Sequence, residues 1–247
     1  ALGLTVQRMD GKEEILAVLL PLRRLFTEFF ILALDILTPV GILGIVAVTI
    51  GTQDPADTLK IAGLFVMLGV TLLANTLATV FALYVLIEAL GPVSGAHFNP
   101  AVSLIMWHQQ KLSRSLLVGY VFMQLLGAWV GACLANAMFD LDVIQVSTHT
   151  RTGVGQWLSE VVATAGLVWV IFRAAPDKAA PMVACYIGAA YWFTASTSFA
   201  NPAAVFGRMF SDTFAGIDPH SAPAFVLAQI LGAWLGLKLS EVLSETT

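Results

Sequence analysis

Charged side chains are scarce in this sequence. Aspartate, glutamate, lysine and arginine make up 11% of the 247 residues, whereas hydrophobic residues make up 58%. About a quarter of the residues of a soluble globular domain are charged. The composition therefore excludes that class and indicates a polytopic membrane protein. We expect the lipid bilayer as a partner and no nucleic acid.

Cysteine and histidine are also rare. The two cysteines, Cys133 and Cys185, lie in apolar segments and are expected to be small core residues without a disulfide. The four histidines are scattered, and the ionisable residues do not cluster as a nucleophile with its acid–base partner would. We therefore expect no metal, no cofactor and no catalytic residue, and we do not expect an enzyme.

One tripeptide, Asn-Pro-Ala, occurs twice in the chain. Asn is a favourable N-cap, because its side-chain oxygen accepts a hydrogen bond from a free backbone N–H of the first helical turn. Pro suits the first helical position, where no N–H donor is needed. Each copy therefore predicts the start of a short helix. The residues concerned are Asn99, Pro100, Ala101, Asn201, Pro202 and Ala203.

A longer repeat surrounds the two tripeptides. The residues 124–131 (QLLGAWVG) match the residues 229–236 (QILGAWLG). Upstream of each tripeptide, an acidic residue lies in an apolar stretch, Glu28 in the first half and Glu160 in the second. Such a repeat indicates gene duplication and, in a membrane protein, two similar halves that meet near the midplane.

Six apolar stretches are long enough to cross the hydrocarbon core, which needs about 20 residues. The two helices that begin at the tripeptides are too short to cross and are predicted to be re-entrant half-helices. The predicted fold class is an all-α membrane protein with six transmembrane helices and two half-helices in an inverted repeat. The spans are expected at about 25–50, 61–88, 116–138, 156–172, 179–197 and 222–239, and the half-helices at 99–108 and 201–210.

The span pattern predicts one domain over residues 25–247, with repeat halves at about 25–138 and 156–240. Residues 1–24 mix charge with short apolar runs and are expected to form a tail or a surface helix, too charged for a signal peptide. Nine of the twelve basic residues lie in the tails and in loops on one side. Because basic loops stay cytoplasmic, both termini are expected to be cytoplasmic, in the cell (inner) membrane.

Together these motifs resemble the aquaporin (major intrinsic protein) family, over about residues 28–234. The segments 145–153 and 211–217 resemble a bacterial subgroup of aquaglyceroporins associated with arsenic resistance. The resemblance implies a homotetramer with one pore per subunit, in which the half-helices meet end to end. It also implies that Glu28 and His97 support the first half-helix, and Glu160 the second. For His97 the alternative, a buried histidine bonded to backbone, stays open.

Helix N-termini that face the pore centre each carry about half a positive charge. A neutral solute with oxygen atoms can exchange water for the donors there, whereas a cation meets a positive barrier. The expected activity is therefore passive conduction of small neutral solutes, without a covalent step.

In the family, four positions at fixed offsets from the tripeptides set the outer constriction. The resemblance places them at Thr79, Ala189, Ser198 and Ala204. Family water and glycerol pores usually carry Arg at the last of these positions. Four small side chains predict a wide constriction that passes arsenite-like trihydroxides, glycerol and water.

Three alternatives stay open at this point. The chain could be an ordinary water or glycerol channel, or a structural membrane protein with a closed pore. A coupled transporter needs ionisable residues near the midplane, for which Asp35 and Glu88 are the candidates. Arg208 follows Ala204 by one helical turn and reaches either the outer vestibule or the membrane surface.

Overall fold

The computed structural model describes residues 55–245, in which every regular element is helical. The predictions for the tail, the first span, Glu28 and Asp35 lie outside the described residues. The helices are α1 (Pro55–Ser94), α2 (Pro100–His108), α3 (Arg114–Met138), α4 (Val154–Arg173), α5 (Ala179–Phe193), α6 (Pro202–Arg208) and α7 (Ala222–Glu245), with a 3-10 turn at Pro176–Lys178 between α4 and α5.

Four segments are long and apolar enough to cross a membrane by length and composition. They correspond to the predicted second, third, fourth and sixth spans, and α5, with 15 residues, takes the place of the fifth. The short helices α2 and α6 occupy the places of the two half-helices. The predicted all-helical membrane class is therefore confirmed. The four segments are Gly69–Ser94, Arg114–Met138, Val154–Arg173 and Ala222–Ser244.

Helix α1 is longer at both ends than the sequence pattern predicts. It begins at Pro55, a residue suited to a first helical position, and it continues through Pro92 to Ser94. Gly95 then ends it with a φ of 71° and an N–H that donates to the Gly91 carbonyl at 2.8 Å. This left-handed glycine, rather than the proline, is the stop signal.

Helix α5 ends at Phe193, four residues before the predicted boundary. The residues from Thr194 to Asn201 form an irregular segment that leads into α6. Three of them have a positive φ, which is incompatible with a continuing right-handed helix. Helix α7 instead runs past the predicted Leu239 to Glu245.

Small residues let helices approach closely in the second half. A Cβ atom placed on Gly236 of α7 would lie 2.2 Å from the carbonyl oxygen of Ala165 on α4. The equivalent distance from Gly232 to the Val161 oxygen is 2.4 Å. Backbones can come this close only where the side chain is absent.

The half-helix α6 packs closely against α3. A Cβ atom on Gly207 of α6 would lie 2.9 Å from the carbonyl oxygen of Ala128 on α3. On the other side, Ala101 and Ile105 of α2 are buried with Ala233 of α7. The first turn of each half-helix is therefore buried in protein, whereas Trp107 and His108 at the end of α2 are exposed.

Candidate functional site

Each half-helix begins with a capped asparagine. The Oδ1 atom of Asn99 accepts a hydrogen bond from the Ala101 N–H at 3.0 Å, and that of Asn201 accepts one from Ala203 at 2.9 Å. A proline occupies the first helical position in both cases. The two helix starts are therefore built as the tripeptides predict.

The two asparagines also connect the halves. The Nδ2 atom of Asn99 donates to the Ala200 carbonyl at 2.7 Å, and that of Asn201 donates to the Phe98 carbonyl at 2.9 Å. Each donor thus reaches the residue immediately before the other asparagine. An amide carries two N–H groups, so each asparagine keeps one donor beyond this bridge.

The loops that precede the asparagines have the same backbone pattern. Positive φ angles occur four, three and one residues before each asparagine. A left-handed conformation costs a non-glycine residue about 1–2 kcal/mol, and only one of the six residues is glycine. Such strain is maintained where the surroundings determine the conformation, and it is concentrated at functional sites. The residues are Gly95, Ala96, Phe98, Thr197, Ser198 and Ala200.

Glu160 holds the second of these loops. Its carboxylate is fully buried and accepts hydrogen bonds from the Phe199 N–H at 2.9 Å and the Ala200 N–H at 2.8 Å. The side chains of Ser196 and Gln229 donate to it at 2.5 and 2.6 Å. Four donors compensate for the burial of the carboxylate, and two of them fix the backbone just before Asn201.

His97 holds a comparable place in the first loop. Its Nδ1 atom lies within hydrogen-bond distance of the Ser103 hydroxyl, at 3.1 Å, and the Gln124 amide donates to the same hydroxyl at 3.0 Å. The His97 ring packs against Tyr120 at 5.2 Å. Among the described residues, His97 therefore connects the loop to both α2 and α3.

A cavity of about 450 Å³ runs past both asparagines. The residues from α1, α4 and α5 that line it are mostly aliphatic, whereas the two loops contribute polar backbone and the asparagine amides. A narrow polar track along an apolar wall suits a small solute that carries a few hydroxyl groups. The aliphatic lining residues include Leu83, Ile87, Val102, Leu167, Ile171, Val183 and Ile187.

Three of the four predicted constriction residues line this cavity, namely Thr79, Ser198 and Ala204. Ala189 does not: it is exposed on another face of α5. The lining residues of that helix include Ile187 and Tyr191.

The helical phase of α5 explains this difference. Gly188 faces α1, where an added Cβ atom would lie 2.4 Å from the Val80 side chain. At 100° per residue, Ala189 is turned by about 200° from Ile187. The family offset from Asn201 does not identify Tyr191 as a lining residue. The spacing of four residues from Val183 to Ile187, continued by one step, does. The Tyr191 hydroxyl lies 3.4 Å from Thr79 Oγ1.

The sequence left two positions open for Arg208, the outer vestibule and the membrane surface. In the structure Arg208 lines the same cavity, which excludes the membrane surface. Its guanidinium carbon lies 4.1 Å from the centre of the Phe199 ring. Glu88 is exposed on α1 and does not line the cavity.

A second arginine, Arg151, lies near the same aromatic ring, with its guanidinium carbon 5.1 Å from the Phe199 ring centre. It donates to the carbonyls of Gly216 and Phe214, both at 2.7 Å. Burial and the neighbouring charge of Arg208 lower the pKa of Arg151. Arg151 therefore connects the two segments 145–153 and 211–217.

Apolar spanning helices around a cavity, with two capped half-helices joined at its centre, define a membrane channel. The sequence profile of the family described as Major intrinsic protein matches residues 17–195. The chain belongs to this family, whose members are membrane transporters rather than enzymes.

Two similar proteins illustrate the relationship. The chain is 48% identical over 198 residues to the aquaglyceroporin AqpS of Rhizobium meliloti (strain 1021), an alignment that covers 79% of this chain and 83% of that protein. It is 34% identical over 176 residues to the aquaporin AqpM of Methanothermobacter marburgensis, with 64% of this chain and 72% of the relative covered. The protein is thus a multi-pass membrane channel for small neutral solutes.

Proposed function

We propose that this channel passes small neutral hydroxylated solutes, with glycerol, arsenous acid and water among them. The observation that carries the proposal is the small size of Thr79, Ser198 and Ala204, three of the four predicted constriction residues, where they line the cavity of about 450 Å³. The similarity to a protein named as an aquaglyceroporin supports the same class of solute.

The asparagine pair supplies the polar contacts for such a solute. Each amide has one N–H beyond the bridge to the opposite loop, and the N-termini of α2 and α6 add their partial positive charges. A hydroxyl oxygen can accept hydrogen bonds from these donors in place of water. A cation finds a positive potential at the same point, which opposes its passage.

Arsenous acid fits the chemistry of this path. At neutral pH it is the uncharged trihydroxide As(OH)₃, and it resembles glycerol in size and in its three hydroxyl groups. Aliphatic side chains line most of the cavity, so they impose little preference between a carbon and an arsenic centre. The polar track recognises the hydroxyl groups that both solutes share.

An ordinary water channel is the second candidate, and Tyr191 favours it. This large side chain reaches Thr79 at 3.4 Å, which narrows the space that four small side chains would leave. A closed-pore structural role would instead give proteoliposomes without flux above bare liposomes.

Substitution of Ala204 tests the proposal. Ala204→Arg places a long side chain at the half-buried 204 position in the cavity wall and is expected to reduce glycerol and arsenous acid flux at least tenfold, with a smaller loss of water flux. Ala204→Ser, which adds only a hydroxyl, is the matched control and should leave all three fluxes within about twofold. Equal losses of all three fluxes in Ala204→Arg would contradict the proposal.

We also propose the assembly and orientation that the sequence suggests. Family membership supports a homotetramer with one pore per subunit. The nine basic residues in the tails and in loops on one side support cytoplasmic termini in the cell (inner) membrane. Mass measurement in detergent and protease accessibility of terminal tags test these two points.

A further inference from the structure

We infer that Arg208 and Tyr191 form a positively charged selectivity constriction, one helical turn beyond the position at which the sequence carries Ala204. The inference rests on the proposed function, since it concerns the same conduction path. It adds a fixed cation to the wide constriction of four small side chains that the sequence predicts.

The arrangement of two cavities locates the constriction. Beside the cavity of about 450 Å³ lies a second one of about 60 Å³, on the side of Thr79 away from Ile87. Tyr191 and Arg208 are the two residues of the described chain that line both cavities. A constriction at the junction of the two cavities is therefore bordered by these two side chains.

The position of Arg208 on α6 explains how it reaches this point. It is the last residue of the half-helix and follows Ala204 by four residues, a rise of about 6 Å on nearly the same face. A cation at a helix C-terminus is favoured by the helix dipole. The small side chain of Ala204 leaves the space that the Arg208 side chain needs to extend along the cavity wall.

The Phe199 ring fixes the guanidinium of Arg208. The distance of 4.1 Å between the guanidinium carbon and the ring centre is that of a cation–π contact. Phe199 is only 4% exposed and packs against Phe225 at 5.4 Å, and its N–H is held by Glu160. The cation is thus attached to the same rigid loop that carries Asn201.

The donors of Arg208 stay available to a solute. Within residues 55–245, its guanidinium makes the contact with Phe199 but no hydrogen bond or ion pair. A guanidinium has five N–H donors. The Tyr191 hydroxyl, 3.4 Å from Thr79 Oγ1, belongs to the other residue that lines both cavities. Neutral hydroxylated solutes can bind these groups, whereas a cation is repelled by the fixed charge.

The test compares cation entry in charge variants reconstituted in liposomes. Guanidinium influx is measured together with stopped-flow water flux in the wild type, Arg208→Leu and Arg208→Lys. Arg208→Leu is expected to raise guanidinium influx about tenfold, the order expected for removing one charge near the path. Arg208→Lys, which keeps the charge, should stay near the wild type. Arg173→Leu is the control, because Arg173 also ends a helix but is exposed outside the cavity.

A second variant protects the test against a folding failure. Phe199→Leu removes the ring that positions the guanidinium, so it is expected to raise guanidinium influx in the same direction as Arg208→Leu. Guanidinium influx at the wild-type level in both variants, with water flux retained, would overturn the inference. A wild type that conducts water but neither glycerol nor arsenous acid would contradict the proposed solute class and leave this comparison intact. A wild type and variants that are all closed to water and guanidinium would contradict both proposals.

Discussion

The amide nitrogen of Asn99 donates to the carbonyl oxygen of Ala200 at 2.7 Å, across 101 residues of sequence. Asn201 makes the reciprocal bond to Phe98 at 2.9 Å. Each asparagine therefore caps its own half-helix and fixes the loop of the other. The junction between the two half-helices therefore depends on both halves of the repeat.

Removal of either asparagine should affect both halves. Asn99→Ala and Asn201→Ala each lose a cap, worth about 1 kcal/mol, and a bridging hydrogen bond of similar worth. We expect a lower midpoint of thermal unfolding and reduced solute flux in both variants. Ser113→Ala, which removes the ordinary cap of α3, should lower stability with flux retained. Loss of flux in only one of the two asparagine variants would contradict the reciprocal role.

Glu160 should be intolerant of substitution. Glu160→Ala leaves four buried donors without their acceptor, and each unsatisfied group costs about 1–3 kcal/mol. We expect little folded protein in size-exclusion chromatography. Glu88→Gln is the control, because Glu88 is exposed on α1, and it should leave yield and passive flux unchanged. If the wild type shows proton-dependent uptake and Glu88→Gln abolishes it, the result would instead support a coupled transporter.

Gly236→Ala should destabilise the contact between α4 and α7. The new Cβ atom would lie 2.2 Å from the Ala165 carbonyl oxygen, so the backbones must separate, at a cost of about 1–3 kcal/mol. Gly155→Ala is the control in α4, where nothing lies within 4 Å of the added atom. It should be neutral or stabilising, since alanine favours helix. Unfolding in increasing denaturant compares the two, and equal stability would contradict the packing.

A bulky residue on α5 should block the channel at Ile187 but not at Ala189. Ile187→Trp fills part of the cavity wall, and water and glycerol flux should fall at least fivefold. Ala189→Trp adds the same ring to the exposed face of the helix. Stopped-flow measurements on both variants decide whether the observed phase of α5 or the fixed family offset describes the pore.

The Asp212 carboxylate should connect the two surface segments in a pH-dependent way. Hydrogen bonds from the Thr148 N–H and hydroxyl lower the pKa of Asp212. A carboxylate whose pKa is lower in the folded state stabilises that state at pH values above its unfolded-state pKa, which is about 3.9. The stabilisation is lost as the pH falls through the folded-state pKa. Asp212→Asn should therefore reduce the difference in loop proteolysis between pH 7 and pH 3. An unchanged difference would contradict this contact.

The helix starts could be predicted from sequence because capping is local chemistry. Asn99 and Asn201 specify their helices through their own side chains and the following proline. The apolar length of the spans likewise depends only on composition. These features need no knowledge of the neighbouring elements.

The remaining features depend on tertiary contacts. The left-handed residues before Asn201, such as Ser198 and Ala200, carry no glycine signal and are held by Glu160 from another helix. The phase of α5 follows from the packing of Gly188 against α1, so a fixed offset could not place Tyr191. The interior position of Arg208 likewise depends on its contact with the Phe199 ring, which belongs to the loop before α6.

The solute selectivity of the purified wild type distinguishes a channel for hydroxylated solutes from a channel for water alone. Water, glycerol and arsenous acid fluxes are measured in one proteoliposome preparation by stopped-flow light scattering and arsenic uptake. We expect glycerol and arsenous acid to enter well above the rate of bare liposomes, together with water. Rapid water flux with glycerol and arsenous acid at the rate of bare liposomes would contradict it.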